Sequence, residues 1–291
     1  MMQQWVLLAA AGVACVLLSP RSPAQVNDPT SGIQYKRGQD VAPAFEGWQR
    51  NTDGTYSFWF GYMNRNWEEQ VDVAIGPENQ FEPGDPDRGQ PTHFYTRRHF
   101  FAFKVIVPKQ WPADQKLVWT LTSHGKTTKA KGWLEPTWEL NSGVMSENLS
   151  GRTVDWSNEP PTITGIGPQT VTLPNTVTLT ASATDDGLPK PRQSRRSSTN
   201  SAPKDTFDPI PNPIPPELLR GPGLNIQWIL YRGPGPVTFD PPSSAKVMDK
   251  AVSTSTVVTF SVPGKYRIRA IASDGALETF HDVEVTVNPA H

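Results

Sequence analysis

The sequence of 291 residues contains one cysteine, Cys15. It lies inside an apolar run, residues 5–18 (WVLLAAAGVACVLL), which has the length of a signal-peptide core and is too short to span a bilayer. Once this run is removed, the remaining chain has no cysteine. That absence excludes disulfides, thiolate catalysis and metals held by cysteine in the mature protein.

The small residues Ser22 and Ala24 follow the apolar run at the positions that a signal peptidase reads. We predict cleavage between Ala24 and Gln25, so that residues 1–24 are a signal peptide and the protein is exported, to the periplasm or the extracellular space. No Lys or Arg precedes the run. A retained membrane anchor is therefore the alternative. No other apolar segment is long enough to cross a membrane, so we expect no membrane-spanning segment after cleavage.

An excess of positive charge is also missing, because 27 Lys and Arg stand against 28 Asp and Glu. This balance argues against nucleic acid as a partner. The sequence has no Gly-x-Ser-x-Gly elbow, phosphate-binding loop or dinucleotide fingerprint. Its five histidines (His93, His99, His124, His281 and His291) include no pair at helical metal-binding spacing. An enzyme is not indicated, although carboxylate pairs that meet only in space leave the question open.

The chain is rich in proline (30) and glycine (22), which disfavour helix interiors, and it has ten tryptophans. After a polar leader (residues 25–40), aromatic and β-branched runs divided by turn signals such as Asp53-Gly54 fill residues 41–140. We predict an antiparallel β-sandwich module there. Residues 141–160 are predicted to be a polar linker.

A second pattern fills residues 161–289, where threonine and serine alternate with valine, leucine and alanine. Short alternating strands between Gly and Pro turns predict a second antiparallel sandwich. Residues 188–223 interrupt it with a Pro-, Ser- and Lys/Arg-rich stretch, which we predict to be a disordered insertion. The expected fold class is all-β, with two antiparallel β-sandwich domains after a signal peptide.

The second pattern resembles PKD-like and bacterial immunoglobulin-like domains of exported proteins. The matching features are an Asp-rich turn after one strand, a Trp strand, a Pro-Gly-x-Tyr turn and an Ala-x-Asp-Gly turn. In this sequence they are Asp185, Asp186, Trp228, Pro263, Gly264, Tyr266, Asp274 and Gly275. The resemblance implies an immunoglobulin-like fold and a spacer, adhesion or binding role. The segments RGQDVAPAFEGW and FGYMNRNWEE resemble parts of uncharacterised exported bacterial proteins.

The stretch TYSFWFGYMNRNW, residues 55–67, contains six aromatic residues. In a strand, Tyr62 points to one face with the core-forming rings, and Trp59 points to the other beside Gly61. One interpretation is that all of these rings are packing. The other is a ligand-binding platform for a sugar ring or another polar ligand. Its residues would be Trp59, Tyr62 and Trp67, flanked by Arg65 and Glu68.

The loop FEPGDPDRG places Glu82, Asp85 and Asp87 at alternating positions. Carboxylates in a flexible glycine-containing loop suit calcium, which takes several oxygen ligands. The alternative is turn formation, which Asp and Gly also favour. Asp185, Asp186 and Asp274 raise the same question in the second module, with turn formation as the default. Calcium is the only cofactor that the sequence suggests.

These observations predict an exported, non-catalytic binding or structural protein of the bacterial envelope. Its ligand would be a polysaccharide or an envelope protein. One alternative is an accessory module of a secreted system, or an unrecognised hydrolase, that acts on glycans. Another is a spacer in a surface assembly. An exposed aromatic row would favour glycan binding, paired carboxylates in a deep cleft would favour an enzyme, and fully buried rings would favour the spacer.

Overall fold

The structure is a computed structural model that describes residues 35–150, 156–190 and 222–290. The predicted signal peptide, residues 1–24, lies outside the described residues. So do residues 191–221, which make up most of the predicted insertion 188–223.

The first module consists of eight strands in three antiparallel sheets. They are β1 (Val41–Arg50), β2 (Tyr56–Asn64), β3 (Val71–Asp72), β4 (Asn79–Glu82), β5 (His93–Phe94), β6 (Arg97–Val107), β7 (Leu117–Ser123) and β8 (Lys126–Gly132). The sheet orders are β1-β2-β6, β4-β7-β8 and β3-β5. The turn between β1 and β2 is the predicted Asp53-Gly54 turn, where Gly54 has a φ of 85°. A positive φ at this position suits glycine because it has no Cβ.

Side chains of β2 divide between two cores, as the period of two requires. Phe58, Phe60 and Tyr62 pack in the interior of the sandwich, where Trp119 of the facing sheet is also fully buried. Trp59 points the other way and packs in a smaller cluster with Phe101. Edge-to-face and offset ring pairs fill the main core, which suits the quadrupoles of aromatic rings.

A short 3₁₀ helix (Pro136–Trp138) and one α-helix, α1 (Ser142–Ser150), follow the first module. Residues Leu140 and Leu149 pack against the Trp59 face of the β1-β2-β6 sheet. The helical segment therefore covers an apolar face that the strand pattern alone leaves open. In the described part of the chain, no helix is long and apolar enough to cross a membrane.

The second module is a sandwich of two four-stranded sheets. Its strands are β9 (Thr162–Gly165), β10 (Gln169–Thr172), β11 (Val177–Thr184), β12 (Asn225–Arg232), β13 (Val237–Asp240), β14 (Ala251–Phe260), β15 (Gly264–Ser273) and β16 (Glu278–Asn288). The sheet orders are β10-β16-β15-β12 and β13-β14-β11-β9. All pairs are antiparallel except β10 with β16. The predicted class, all-β with two antiparallel sandwich modules, is confirmed by the strand pairing.

The two sandwiches meet at a buried junction. Tyr231, from β12 of the second module, packs in the core of the first. Arg269 of β15 donates to the carbonyl oxygen of Ala102 in β6 at 2.6 Å, and the hydroxyl of Tyr95 accepts the amide N–H of Leu230 at 2.9 Å. Main-chain and side-chain bonds thus connect the modules directly, in addition to the chain between them.

Candidate functional site

The structure places the rings of the predicted platform in different surroundings. Tyr62 is buried between Phe94 and His99, and its hydroxyl accepts the amide N–H of Tyr95 at 3.1 Å. Burial raises the pKa of the Tyr62 hydroxyl well above its usual value. Trp59 is buried against Phe101, and its indole N–H donates to Gln49 at 2.7 Å. Both rings therefore contribute to packing.

Trp67, Arg65 and Glu68 lie where the chain leaves β2, and their segment contacts residues 35–40 of the same chain. Arg65 pairs with Asp40 at 3.1 Å, and Glu68 pairs with Lys36 at 2.8 Å. The amide N–H of Trp67 donates to the carbonyl of Tyr35 at 3.0 Å. The guanidinium of Arg97 lies 4.1 Å from the Trp67 ring centroid. The polar groups that the sequence suggested for a ligand thus hold the chain's own N-terminal segment.

Gly61, expected to open a shelf for a sugar ring beside the platform, is covered by an ion pair. Glu46 from β1 and Arg98 from β6 meet over it at 2.6 Å, and a Cβ at Gly61 would collide with the Glu46 carboxylate and the His99 carbonyl. Burial raises the pKa of Glu46, an effect that the charge of Arg98 partly offsets. The pair fills the space that the sequence interpretation gave to a ligand.

Two of the three carboxylates predicted for calcium are directed to other partners. Asp87 holds Arg232 through two bonds of 2.7 and 2.9 Å, and Asp85 accepts the amide N–H of Asp87 at 2.9 Å. Glu82 lies on the exposed side of β4. Among residues 35–150, 156–190 and 222–290, no three His, Cys, Asp or Glu side chains are grouped to hold a metal. The loop instead connects the first module to β12.

A cleft of about 550 Å³ lies beside the junction, and both of its arginines form ion pairs. Arg269 pairs with Asp282 at 2.7 Å, and Arg267 pairs with Glu284 at 2.6 Å. Glu278 and Asp282, two carboxylates that line the cleft, lie four residues apart on β16. Asp282 is engaged by Arg269 in an ion pair.

Two neighbouring indoles that the sequence interpretation did not select reach the surface. Trp138 is 42% exposed, and its ring lies 6.0 Å from that of the half-buried Trp133, with 26° between their planes. Lys116 lies over Trp133 with its ammonium 5.4 Å from the ring centroid. Glu135 accepts the indole N–H of Trp133 at 3.2 Å. We call Trp133, Trp138, Lys116 and Glu135 the tryptophan patch.

The end of β8 and the 3₁₀ helix position the tryptophan patch. Gly132 has no Cβ, so Phe45 can approach it closely; a Cβ there would lie 2.7 Å from the Phe45 ring. Phe45 in turn stacks on Trp138 at 5.4 Å with 12° between the planes. Phe45 also stacks on Trp133, at 6.5 Å with 20° between the planes, so one buried ring supports both indoles. The sequence signal that could have found them is the segment GWLEPTW, where two tryptophans flank a proline after a strand.

No family model matches the sequence, and no curated protein sequence matches it. Similar solved structures include the PKD domain of human KIAA0319, at 16% identity over 46% of this chain and 86% of that chain, with a TM-score of 0.21. They also include fibronectin(III)-like modules of Clostridium thermocellum CbhA, at 12% identity over 86% of this chain and 95% of that chain, with a TM-score of 0.22. Domains 4 and 5 of the S-layer protein SbsC match at 10% identity over 86% of this chain and 98% of that chain, with a TM-score of 0.25. At these scores the likenesses carry no argument, and the sandwich assignment rests on the strand pairing of this chain.

Proposed function

We propose that this chain is an exported, non-catalytic binding protein of the bacterial envelope and that the tryptophan patch binds polysaccharide. The observation that carries the proposal is the pair of partly exposed indoles, Trp133 and Trp138, supported by Phe45. The C–H face of a sugar ring is apolar and stacks on the electron-rich face of an indole.

The polar groups beside the rings favour a glycan over an apolar protein surface. Lys116 and Glu135 supply a hydrogen-bond donor and acceptors next to the stacking face. A few polar groups around an apolar surface are what fixes the orientation of a hydroxyl-rich ligand. A protein partner or a purely structural role would be the conclusion if no glycan binds.

The test is a pull-down of the mature chain, residues 25–291, on insoluble polysaccharides and peptidoglycan. We expect the native chain to bind at least one of these polymers and the Trp133→Ala, Trp138→Ala double variant to lose most of that binding. The matched control is Trp156→Ala, because Trp156 is 71% exposed and lies outside the patch. Circular dichroism establishes that each variant is folded. Equal binding by all three proteins would contradict the proposal.

A further inference from the structure

Two carboxylates and one amide meet at one end of the second sandwich. Asp185 follows the end of β11, Asp274 follows the end of β15, and Asn158 lies in the segment that leads into β9. Asp274 is 1% exposed and Asn158 is 2% exposed. The alternation of β11 and β15 directs Asp185 and Asp274 to the same side as Ala183 and Ala272, which belong to the buried core.

The contacts of Asp274 show how the group is held together. Its Oδ1 accepts the amide N–H groups of Ala276 and Leu277 at 2.6 and 2.7 Å. Its Oδ2 accepts the side-chain amide N–H of Asn158 at 3.0 Å. One oxygen of Asp274 is thus bound by the turn, and the other is directed toward Asn158.

Two buried oxygens of the group have no hydrogen-bond donor among the described residues: Oδ1 of Asp185 and Oδ1 of Asn158. Each side chain uses its other polar atom, since Asp185 Oδ2 accepts the amide N–H of Gly187 at 2.8 Å and Asn158 Nδ2 donates to Asp274. A buried acceptor without a donor costs free energy, so native structures rarely leave one without a partner. Two such acceptors beside a carboxylate form an oxygen-lined group that a bound cation would satisfy.

Bonds between neighbouring residues bring the Asp185 turn to the Asn158 segment. The amide N–H of Glu159, which follows Asn158, donates to Oδ2 of Asp186, which follows Asp185, at 3.2 Å. The other oxygen of Asp186 accepts the amide N–H of Leu188 at 2.8 Å. Asp186 is thus directed to the backbone and is not counted among the ligands.

We propose that Asp185, Asn158 and Asp274 bind a hard divalent cation of the calcium class. The protein ligands are Oδ1 of Asp185, Oδ1 of Asn158 and Oδ2 of Asp274, and water completes the coordination. Oxygen-only ligands suit calcium rather than zinc, which prefers nitrogen and sulfur. Two carboxylates and one amide form a weakly charged site, for which we expect a Kd of about 10⁻⁴–10⁻³ M. This set contains only two acidic side chains, consistent with the absence of a three-acid group in the described residues.

Binding would connect the segment around Asn158 to the end of the sandwich. The full chain, stripped with EDTA and dialysed, is titrated with calcium chloride by isothermal calorimetry and melted with and without 10 mM calcium chloride. We expect Tm to rise by roughly 3–8 °C in calcium and by less in magnesium.

Asp185→Asn should lose most of this calcium-induced Tm shift. Asp114→Asn, which alters an exposed carboxylate of the first module, should keep it.

A gain-of-function variant keeps the proposal falsifiable if Asp185→Asn fails to fold. Asn158→Asp adds a third carboxylate, and ligand charge tunes calcium affinity, so we expect calcium to bind about tenfold tighter. An unchanged Tm and no heat of binding in the native chain would overturn the proposal. A calcium-induced Tm shift of native size in both Asp185→Asn and Asn158→Asp would also overturn it.

Discussion

Arg269 and Asp282 form a bidentate ion pair between neighbouring strands β15 and β16, with N–O distances of 2.7 and 2.9 Å. The remaining Nη1 of Arg269 crosses the junction to the carbonyl of Ala102 at 2.6 Å. The guanidinium also lies 3.6 Å from the ring centroid of Tyr231. One side chain of the second module therefore contacts an ion-pair partner, an aromatic face and the backbone of the first module.

Arg269→Met should lower the free energy of unfolding by about 2–3 kcal/mol, because it leaves the Asp282 carboxylate partly buried without its partner. Equilibrium urea denaturation measures the loss. Arg267→Met is the matched control. Arg267 pairs with Glu284 on the same two strands, but that pair is much more exposed and should contribute less than about 1 kcal/mol. Equal losses in the two variants would show that the junction contact of Arg269 does not stabilise the fold.

The Asp87–Arg232 pair predicts a pH dependence in the acid range. Hydrogen bonding from Arg232 lowers the pKa of Asp87 below its usual value. A lowered pKa in the folded state stabilises the protein above the unfolded pKa of about 3.9, and this stabilisation is lost as the pH falls through the folded pKa. Asp87→Asn should therefore be less stable than the native chain at pH 7, by about 1 kcal/mol given the half-exposed pair.

The difference between native chain and Asp87→Asn should shrink as the pH falls below about 4, where the native carboxyl also takes up a proton. Urea midpoints at pH 7, 5 and 3 measure this convergence. Asp114→Asn serves as an exposed control. A difference that stays constant from pH 7 to pH 3 would mean that the charge of Asp87 is not what Arg232 recognises.

Gly61→Ala should destabilise the first module by about 2 kcal/mol, since the added methyl group collides with Glu46 and the backbone of His99. Gly167→Ala is the control, because no heavy atom lies within 4 Å of a Cβ there. We expect that variant to stay within about 0.5 kcal/mol of the native chain. Thermal and urea denaturation of both variants measure the contrast. A Gly61→Ala protein of native stability would show that the ion pair above this glycine can move aside freely.

Asn66→Ala should loosen the attachment of Gln39 to the first module. The Asn66 side chain accepts the amide N–H of Gln39 at 2.7 Å and donates to the Gln39 carbonyl at 2.7 Å. Removing both bonds should speed hydrogen exchange at Gln39 while leaving the core amides of β2 protected. Asn148→Ala, whose side chain donates to the Val144 carbonyl within α1, is the control. Unchanged exchange at Gln39 would mean that other contacts hold the segment.

The strand pattern predicted the two faces of β2 correctly. Phe58 and Phe60 share the main core, and Trp59 faces the opposite side. A period of two shows which side a ring takes, but it does not show what covers that side. The cover of Trp59 comes from α1, a helix of nine residues whose weak amphipathic pattern gave no helical signal. Burial of the predicted platform therefore could not be predicted from the strand itself.

The contact between the two modules could not be predicted from the sequence, for a related reason. Tyr231 and Arg269 point away from the core of their own sandwich, where alternation predicts solvent. A tyrosine and an arginine suit an exposed strand face equally well, so their pattern does not distinguish solvent from a second module. The two tryptophans of the tryptophan patch lie after β8, in a short connection and a 3₁₀ helix, where periodicity carries little information. The sequence signal for the patch is the presence of two tryptophans within the seven residues GWLEPTW.

The measurement that tests the proposed function most directly is binding of the native chain and the Trp133→Ala, Trp138→Ala variant to the polymer that the pull-down selects. Depletion from solution is measured over a range of polymer amounts, with Trp156→Ala alongside. We predict at least tenfold weaker binding by the double variant, with unchanged folding and native binding by Trp156→Ala. Native affinity in the double variant, or no binding by the native chain to any polysaccharide or to peptidoglycan, would contradict a glycan-binding role for the tryptophan patch.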